Sequence, residues 1–203
     1  MWDFAESTHE DVALLRQRYE ALTDSVRQLI DATLRTEVGD DVVASAKAEI
    51  DAATARLQSH QRVDSLGISV TPDGDTVAWG NVAIGPRNPL APPLEVVPDG
   101  LTRAHVDTHL GAAYEGPPGH LHGGYCALVL DHLLGHVASH GSVDTVVATG
   151  TISFRYLRPT RLGSMHAEAE IQDTDGRKVF VTGHLADDEG ATVTAEGVFI
   201  VLK

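Results

Sequence analysis

One stretch, Tyr114–Gly135, constrains this chain more than any other part of it. It reads YEGPPGHLHGGYCALVLDHLLG, a loop stiffened by glycine and proline that leads into an almost wholly apolar segment. The apolar residues leave no continuous polar face, which predicts a buried helix that begins at the paired glycines. Asp131 is the one carboxylate in that helix, and a carboxylate among apolar residues requires a partner or a function. The stretch therefore predicts a helical core element that carries a functional acid.

The paired glycines, Gly123 and Gly124, follow His122 where the predicted helix begins. The first N–H groups of a helix have no intrahelical acceptor, and the helix dipole makes this end positive. Glycines also leave room for a substrate oxygen to approach these amides. We therefore expect the Gly123 N–H to polarise a carbonyl group. His122 has two interpretations: it orients the loop or the substrate carbonyl, or its imidazole caps the loop backbone.

The strand signals outside this helix predict an α+β fold. Residues 66–79 read as a hairpin around a Pro-Asp-Gly-Asp turn, and residues 101–113 alternate apolar and polar side chains as a half-buried strand does. Four further strand signals, separated by short turns, cover residues 145–156, 164–171, 178–186 and 192–202. One long buried helix followed by an antiparallel meander is an α+β arrangement.

Residues 1–60 are predicted to form an N-terminal helical hairpin extension, and residues 61–203 the main domain. A capping-box sequence, STHE, opens the first helix, and its apolar residues recur in steps of three and four. A GDD break ends this pattern, and a second apolar stripe follows it. Such a hairpin packs on the main domain or on a partner subunit. We expect the chemistry to lie in residues 61–203.

The charge of the chain argues against two classes of partner. Its 203 residues include 15 Lys and Arg against 29 Asp and Glu, a formal net charge of −14. This charge disfavours nucleic acids and anionic membrane surfaces. No apolar run reaches the roughly 18–20 residues of a membrane span, and the acidic start MWDFAES does not resemble a signal peptide. We expect a cytoplasmic protein without membrane insertion.

These motifs together resemble a known family. A His-Gly-Gly step, then six residues and Asp131 on one helix, followed by a strand ending YLRP, resembles the hotdog-fold acyl-CoA thioesterases, and within them the PaaI-type (phenylacetyl-CoA thioesterase-like) group. The sequences YEGPPGHLHGG and NPLAPPL are similar to those of the branch that holds the mitochondrial long-chain acyl-CoA thioesterases. The resemblance covers residues 80–203. It implies a hotdog fold, an antiparallel sheet wrapped around a long central helix.

The resemblance also implies an activity, the hydrolysis of an acyl-CoA to a free carboxylic acid and coenzyme A. It gives Asp131 the role of general base or nucleophile. It gives Thr149 the role of helping to hold the attacking water beside that carboxylate. For Thr149 the alternative is plain β-propensity. Coenzyme A belongs to the substrate, so no cofactor and no metal is expected. His132 and His136, four residues apart on the helix, are the alternative metal ligands.

Further residues are predicted to contact the substrate: Gly124, Asn88, Pro89 and Arg158. Arg158 is the best candidate in a basic run that suits the phosphates of coenzyme A. Asn88 and Pro89 lie in the proline-rich stretch 85–98, which is either a surface connector or a lid or wall over the acyl pocket.

Helix geometry predicts that two subunits build each site. Eight residues separate Gly123 from Asp131, which is roughly 12 Å at 1.5 Å per residue. One thioester carbon cannot contact both groups within one chain, so Gly123 of one subunit must act with Asp131 of another. This agrees with the dimer-interface sites of the family, and we expect a homodimer or a dimer of dimers.

The main alternative is a non-catalytic acyl-CoA-binding hotdog module, a sensor or scaffold, which would need neither Asp131 nor Thr149. A hotdog hydratase or dehydratase would require an Asp/His pair in a different local motif. A structural protein that acts through its N-terminal helices is the third alternative.

Overall fold

The computed structural model describes residues 4–141 and 145–202. The elements in chain order are β1 (Phe4–Glu6), α1 (His9–Arg35), α2 (Asp40–Gln58), β2 (Ile68–Val70), β3 (Thr76–Ala78), β4 (Val97–Pro98), β5 (Arg103–Leu110), a short 3-10 helix (Ala112–Tyr114), α3 (Gly123–Ala138), β6 (Val147–Tyr156), β7 (Gly163–Asp175), β8 (Lys178–Asp187) and β9 (Gly190–Val201). Six strands form one antiparallel sheet in the order β4-β5-β7-β8-β9-β6. Helix α3 packs against five of them, β5 to β9. The predicted α+β hotdog fold is confirmed.

The main core lies between α3 and this sheet. The buried side of α3 consists of Cys126, Val129, Leu130, Leu133, Leu134, Val137 and Ala138, which recur in steps of one, three and four residues. The opposite side of the helix is only half-buried, and Asp131 lies there. The expectation of a carboxylate enclosed in the core was therefore wrong in this protomer, because the sheet covers one side of the helix and leaves the other accessible.

A second, smaller sheet has the order β1-β2-β3. Strand β1 pairs in parallel with β2, and β2 pairs antiparallel with β3 as the predicted hairpin. Ser69 accepts hydrogen bonds from Ser7 Oγ and Trp79 Nε1, both at 3.0 Å. Val77 and Trp79 form a separate small core with Val12 of α1. This sheet therefore ties the start of the chain to residues more than sixty positions away.

Helix α1 begins one residue later than predicted. Thr8 is the N-cap, and its partner in the capping box is Asp11. Ser7 instead belongs to the small sheet, because its N–H donates to the carbonyl oxygen of Val70 at 2.9 Å and its hydroxyl donates to Ser69 Oγ. Along the helix, Thr23 is buried whereas the predicted seam residue Leu22 is 40% exposed. A straight helix of 3.6 residues per turn drifts away from a strict 3.5-residue seam.

Helix α2 buries none of its side chains in this protomer. The two predicted N-terminal helices are present, but α2 does not pack on the main domain or closely on α1. Of the two packing partners that the sequence left open, the partner subunit therefore stays a prediction for α2. Within residues 4–141 and 145–202, no helix combines the length and the apolar character that crossing a membrane requires.

Candidate active site

Asp131 and Thr149 meet at a cavity of about 320 Å³. Asp131 lies in the middle of α3, and Thr149 on β6 donates a hydrogen bond from Oγ1 to Asp131 Oδ1 at 3.1 Å. A β-bulge interrupts the pairing of β6 with β9 between Thr149 and Thr151, and bulges beside active sites commonly re-aim a side chain. The structure thus brings together the two residues that the sequence predicted would act as a pair.

The cavity beside Asp131 contains two histidines of α3, His132 and His136. Burial lowers the pKa of His132 to about 4, and the nearby His136 adds to this effect. Burial also lowers the pKa of His136. Both rings are therefore neutral at pH 7, and Asp131 is the only carboxylate among the described residues that line the cavity. In the described part of the chain, no three His, Cys, Asp or Glu residues are grouped so that they could hold a metal ion.

His132→Gln is expected to make the protein less sensitive to acid. The unfolded chain protonates this histidine near pH 6.5, and the folded chain only near pH 4. Between these values the unfolded state binds more protons, so the free energy of unfolding falls as the pH is lowered, by about 3 kcal/mol in total for this group. Urea unfolding at pH 4, 5, 6 and 7 measures the loss. The exposed His60→Gln is the control, and an unchanged pH dependence in His132→Gln would contradict the assignment.

His122 caps the N-terminus of α3. Its Nδ1 accepts a hydrogen bond from the N–H of Gly124 at 3.0 Å, which confirms the capping interpretation of this residue. A side chain at position 124 would place its Cβ 3.1 Å from His122 Nδ1, so Gly124 makes room for the cap. The Gly124 N–H is engaged by the imidazole, and the substrate contact predicted for Gly124 cannot use that amide in this arrangement.

The peptide group between Gly123 and Gly124 is held from both sides. His122 accepts its N–H, and Tyr156 Oη donates to its carbonyl oxygen on Gly123 at 2.9 Å. The N–H of Gly123 itself has no acceptor among residues 4–141 and 145–202. The Gly123 N–H, which was predicted to polarise a carbonyl group, is therefore an unpaired amide among the described residues, and the peptide group next to it is held in place. Tyr156 was not singled out from the sequence, although it belongs to the YLRP motif.

Gly123 and Asp131 occupy one uninterrupted helix, α3. Eight residues of regular helix place them roughly 12 Å apart. The distance on which the two-subunit prediction rests is therefore present in the structure.

Arg158 does not present a free guanidinium. It forms a bidentate ion pair with Asp187, whose side chain is 4% exposed, and it also donates to the carbonyl oxygen of Gly190 at 2.8 Å. The hydrogen bonds from Arg158 hold the pKa of Asp187 far below its usual range. Arg158 is thus a structural tie between the end of β6 and the β8–β9 turn, and the predicted phosphate contact would have to break that tie.

The other members of the basic run differ in whether they form an ion pair. Arg161 pairs with Glu189 at 2.9 Å. Arg155, Arg177 and Lys178 are exposed, and none of them forms an ion pair with another described residue.

Asn88 and Pro89 lie away from the Asp131 cavity in this protomer. The amide of Asn88 donates to the carbonyl oxygen of Gly80 and accepts from the N–H of Leu90, so it stabilises its own loop. Pro89 lines a separate cavity of about 150 Å³ next to Tyr114. No residue of the stretch 85–98 lines the Asp131 cavity. Of the two roles left open for this loop, a wall of this cavity is not what the structure shows, because Ile84 and the small sheet form that wall.

Phe4 is the least expected member of the site. It belongs to the predicted N-terminal extension, yet it lines the cavity that contains Asp131. An apolar residue in the short segment WDFAES carries no periodic signal, so only its pairing with β2 reveals the position.

A family model and several solved structures of known proteins are similar to this chain. The model of the family described as the thioesterase superfamily matches residues 118–194. A solved structure of a thioesterase superfamily protein, RHA08564, is 31% identical, with 89% of each chain covered and a TM-score of 0.77. Residues 61–203 make up about 70% of this chain, so that likeness extends into the N-terminal helices.

Two more distant structures share the fold alone. The conserved protein PA5202 from Pseudomonas aeruginosa is 22% identical over 54% of this chain and 89% of its own, with a TM-score of 0.51. The thioesterase HI1161 from Haemophilus influenzae is 18% identical over 54% of this chain and 78% of its own, with a TM-score of 0.50.

Proposed function

Because this chain belongs to the thioesterase superfamily, we propose that it is an acyl-CoA thioesterase that releases a free carboxylic acid and coenzyme A. The observation that carries the proposal is the hydrogen bond from Thr149 to Asp131 at the cavity. Membership of the PaaI-type group and of the branch with the mitochondrial long-chain enzymes stays a prediction.

Asp131 acts as the general base in this proposal. Thr149 Oγ1 donates a hydrogen bond to Oδ1 of the carboxylate, so the lone pairs of its oxygen are available to accept a hydrogen bond from a water molecule. The same water can donate its second proton to Oδ2 of Asp131. The carboxylate removes that proton as the water attacks the thioester carbon. The resulting tetrahedral intermediate then expels the thiolate of coenzyme A.

Gly123 of the partner subunit supplies the oxyanion contact in this proposal. Its N–H lies at the positive end of α3 and donates to the oxygen on which negative charge develops. A fixed donor needs no reorganisation during the reaction, and the bonds from His122 and Tyr156 fix the adjacent peptide. The exposed Arg155, Arg177 and Lys178 are the groups that we propose for the phosphates of coenzyme A.

Tyr156→Phe is expected to lower kcat about fivefold and to leave KM within twofold. The substitution keeps the ring against Gly123 and removes only the hydrogen bond to its carbonyl oxygen, which contributes about 1 kcal/mol. Steady-state kinetics measures the effect, and Tyr19→Phe on α1 is the matched control. If kcat is unchanged in a folded Tyr156→Phe protein, the tyrosine does not position the oxyanion amide.

The proposed function is tested by thiol release from a panel of acyl-coenzyme A thioesters. Turnover of at least one member at a kcat/KM above about 10⁴ M⁻¹s⁻¹, the lower end of the usual range for enzymes, supports it. If the protein binds members of the panel but hydrolyses none, it is a non-catalytic acyl-CoA-binding module.

A further inference from the structure

The small sheet presents one apolar row to the cavity beside Asp131. Phe4 pairs with Ile68, and Ile68 pairs with Ala78, so these three residues form one row across β1, β2 and β3. Successive side chains of a strand point to opposite faces. Ser69 and Val77, one position along, are accordingly buried against Trp79 on the other face. The row thus has a fixed orientation, and all three of its members line the cavity.

The opposite side of the cavity is formed by the main domain. Gly135 of α3, Val147 of β6 and Phe199 of β9 contribute apolar surface, and Ile84 closes the space between the two sheets. Most of the cavity surface is apolar, and the pair formed by Asp131 and Thr149 lies in its wall. The apolar part of the cavity wall therefore lies next to the proposed reaction centre.

The charges around the cavity limit what can occupy it. Among the described residues that line it, Asp131 is the only carboxylate and none is Lys or Arg, and burial lowers the pKa of His132 and of His136, which keeps both rings neutral. A carboxylate on the acyl group would meet the Asp131 carboxylate, and no described lining residue offers it a Lys or Arg partner. Arg16 and Arg103 line a second cavity, which adjoins the first at Thr76, His136 and Gly141 and is lined by acidic and basic groups. The apolar space ends at that boundary.

We propose that the Phe4–Ile68–Ala78 row is the acyl-binding wall, and that the substrate carries a compact, uncharged acyl group. This inference rests on the proposed function, because it places the thioester carbon at Asp131. A cavity of about 320 Å³ lies at the lower end of ligand pockets and holds about ten groups of the size of water. A single ring or a chain of about six to eight carbons fits this space, whereas a palmitoyl chain exceeds it. Phe4, Ile68 and Ala78 are then the residues that determine specificity.

The binding wall is tested with two thioethers that cannot be hydrolysed, S-hexyl-coenzyme A and S-methyl-coenzyme A. The side chain introduced by Ala78→Phe fills part of the cavity. We therefore expect the Kd of this variant for the hexyl compound to rise at least tenfold, because each buried methylene contributes to affinity. Its Kd for the methyl compound should change less than twofold. Ala48→Phe on the exposed side of α2 is the matched control. Phe4→Ala, at a position that is 43% exposed, is the second variant, with an expected rise of about threefold for the hexyl compound.

Isothermal titration calorimetry measures the Kd of both thioethers for the wild-type protein and for both variants. If neither substitution changes the ratio of the two Kd values, the row does not bind the acyl group and the inference is overturned. This holds whether or not the protein turns over any thioester.

Turnover supplies the second arm of the test. We expect kcat/KM for hexanoyl- and phenylacetyl-coenzyme A to exceed that for succinyl- and palmitoyl-coenzyme A at least tenfold. An equal or higher value for succinyl or palmitoyl would overturn the assignment to a compact, uncharged group. If no member releases thiol, the proposed catalytic function fails, and the thioether titrations alone decide the binding wall.

Discussion

Asp131→Asn is expected to lower kcat by about 100- to 10,000-fold while the protein stays folded, which is the usual cost of removing a general base. The asparagine keeps the oxygen that accepts the hydrogen bond from Thr149, so the local geometry is retained. It removes the group that takes the proton from water. Thiol release measures the loss, and Asp175→Asn in the exposed β7–β8 turn is the matched control.

Thr149→Ala should reduce kcat less than Asp131→Asn, because the carboxylate still activates water without its companion. Circular dichroism and thermal unfolding establish that both variants are folded. If folded Asp131→Asn retains nearly all of the wild-type kcat, another group is the base and the proposed mechanism is wrong. If Thr149→Ala leaves kcat unchanged, the threonine is present only for its β-propensity.

The sequence was sufficient to predict α3 and strands β5 to β9 of the main sheet because their signals are local, whereas β4 (Val97–Pro98) lies in the stretch that was predicted to be a loop. Apolar residues in α3 and alternating residues in β5 mark each element without knowledge of its neighbours. The proximity of Asp131 and Thr149 was inferred from family resemblance, and the 3.1 Å hydrogen bond confirms that the two residues meet. Their catalytic roles stay predictions, as does the assembly of the site from two subunits.

The wall of the cavity could not be predicted, because it depends on contacts between distant residues. Strands β1, β2 and β3 contain three residues each, which is too short for a clear alternation. Phe4 pairs in parallel with Ile68, and no turn in the sequence between them indicates this pairing. From the sequence, the proline-rich stretch 85–98 was either a surface connector or a wall of the acyl pocket, and in the structure it lines no part of the Asp131 cavity.

Arg158 illustrates a different limit. Its place in the YLRP motif and in a basic run is compatible with a phosphate ligand or with a structural ion pair. Only the position of Asp187 at the β8–β9 turn, 29 residues later, decides that its guanidinium is engaged. Residue type and local sequence indicate that a charge is important, but they do not identify its partner.

The shared active site is tested most directly by mixing two inactive variants. Asp131→Asn lacks the base. Gly123→Val places a branched side chain beside the oxyanion amide, where even a Cβ lies 3.3 Å from the ring of Tyr156. Each variant alone is expected to be nearly inactive, since losing one oxyanion donor costs about 100- to 1000-fold.

Equal amounts of the two variants, carrying different affinity tags, are unfolded and refolded together. Random pairing in a symmetric assembly gives one site in four an intact Gly123 from one chain and an intact Asp131 from the other. About a quarter of wild-type activity is therefore expected to return, in a dimer or in a dimer of dimers. If the two tags co-purify and activity stays at the level of the separate variants, each site lies within one chain, and the assignment of Gly123 and Asp131 to one reaction centre is contradicted.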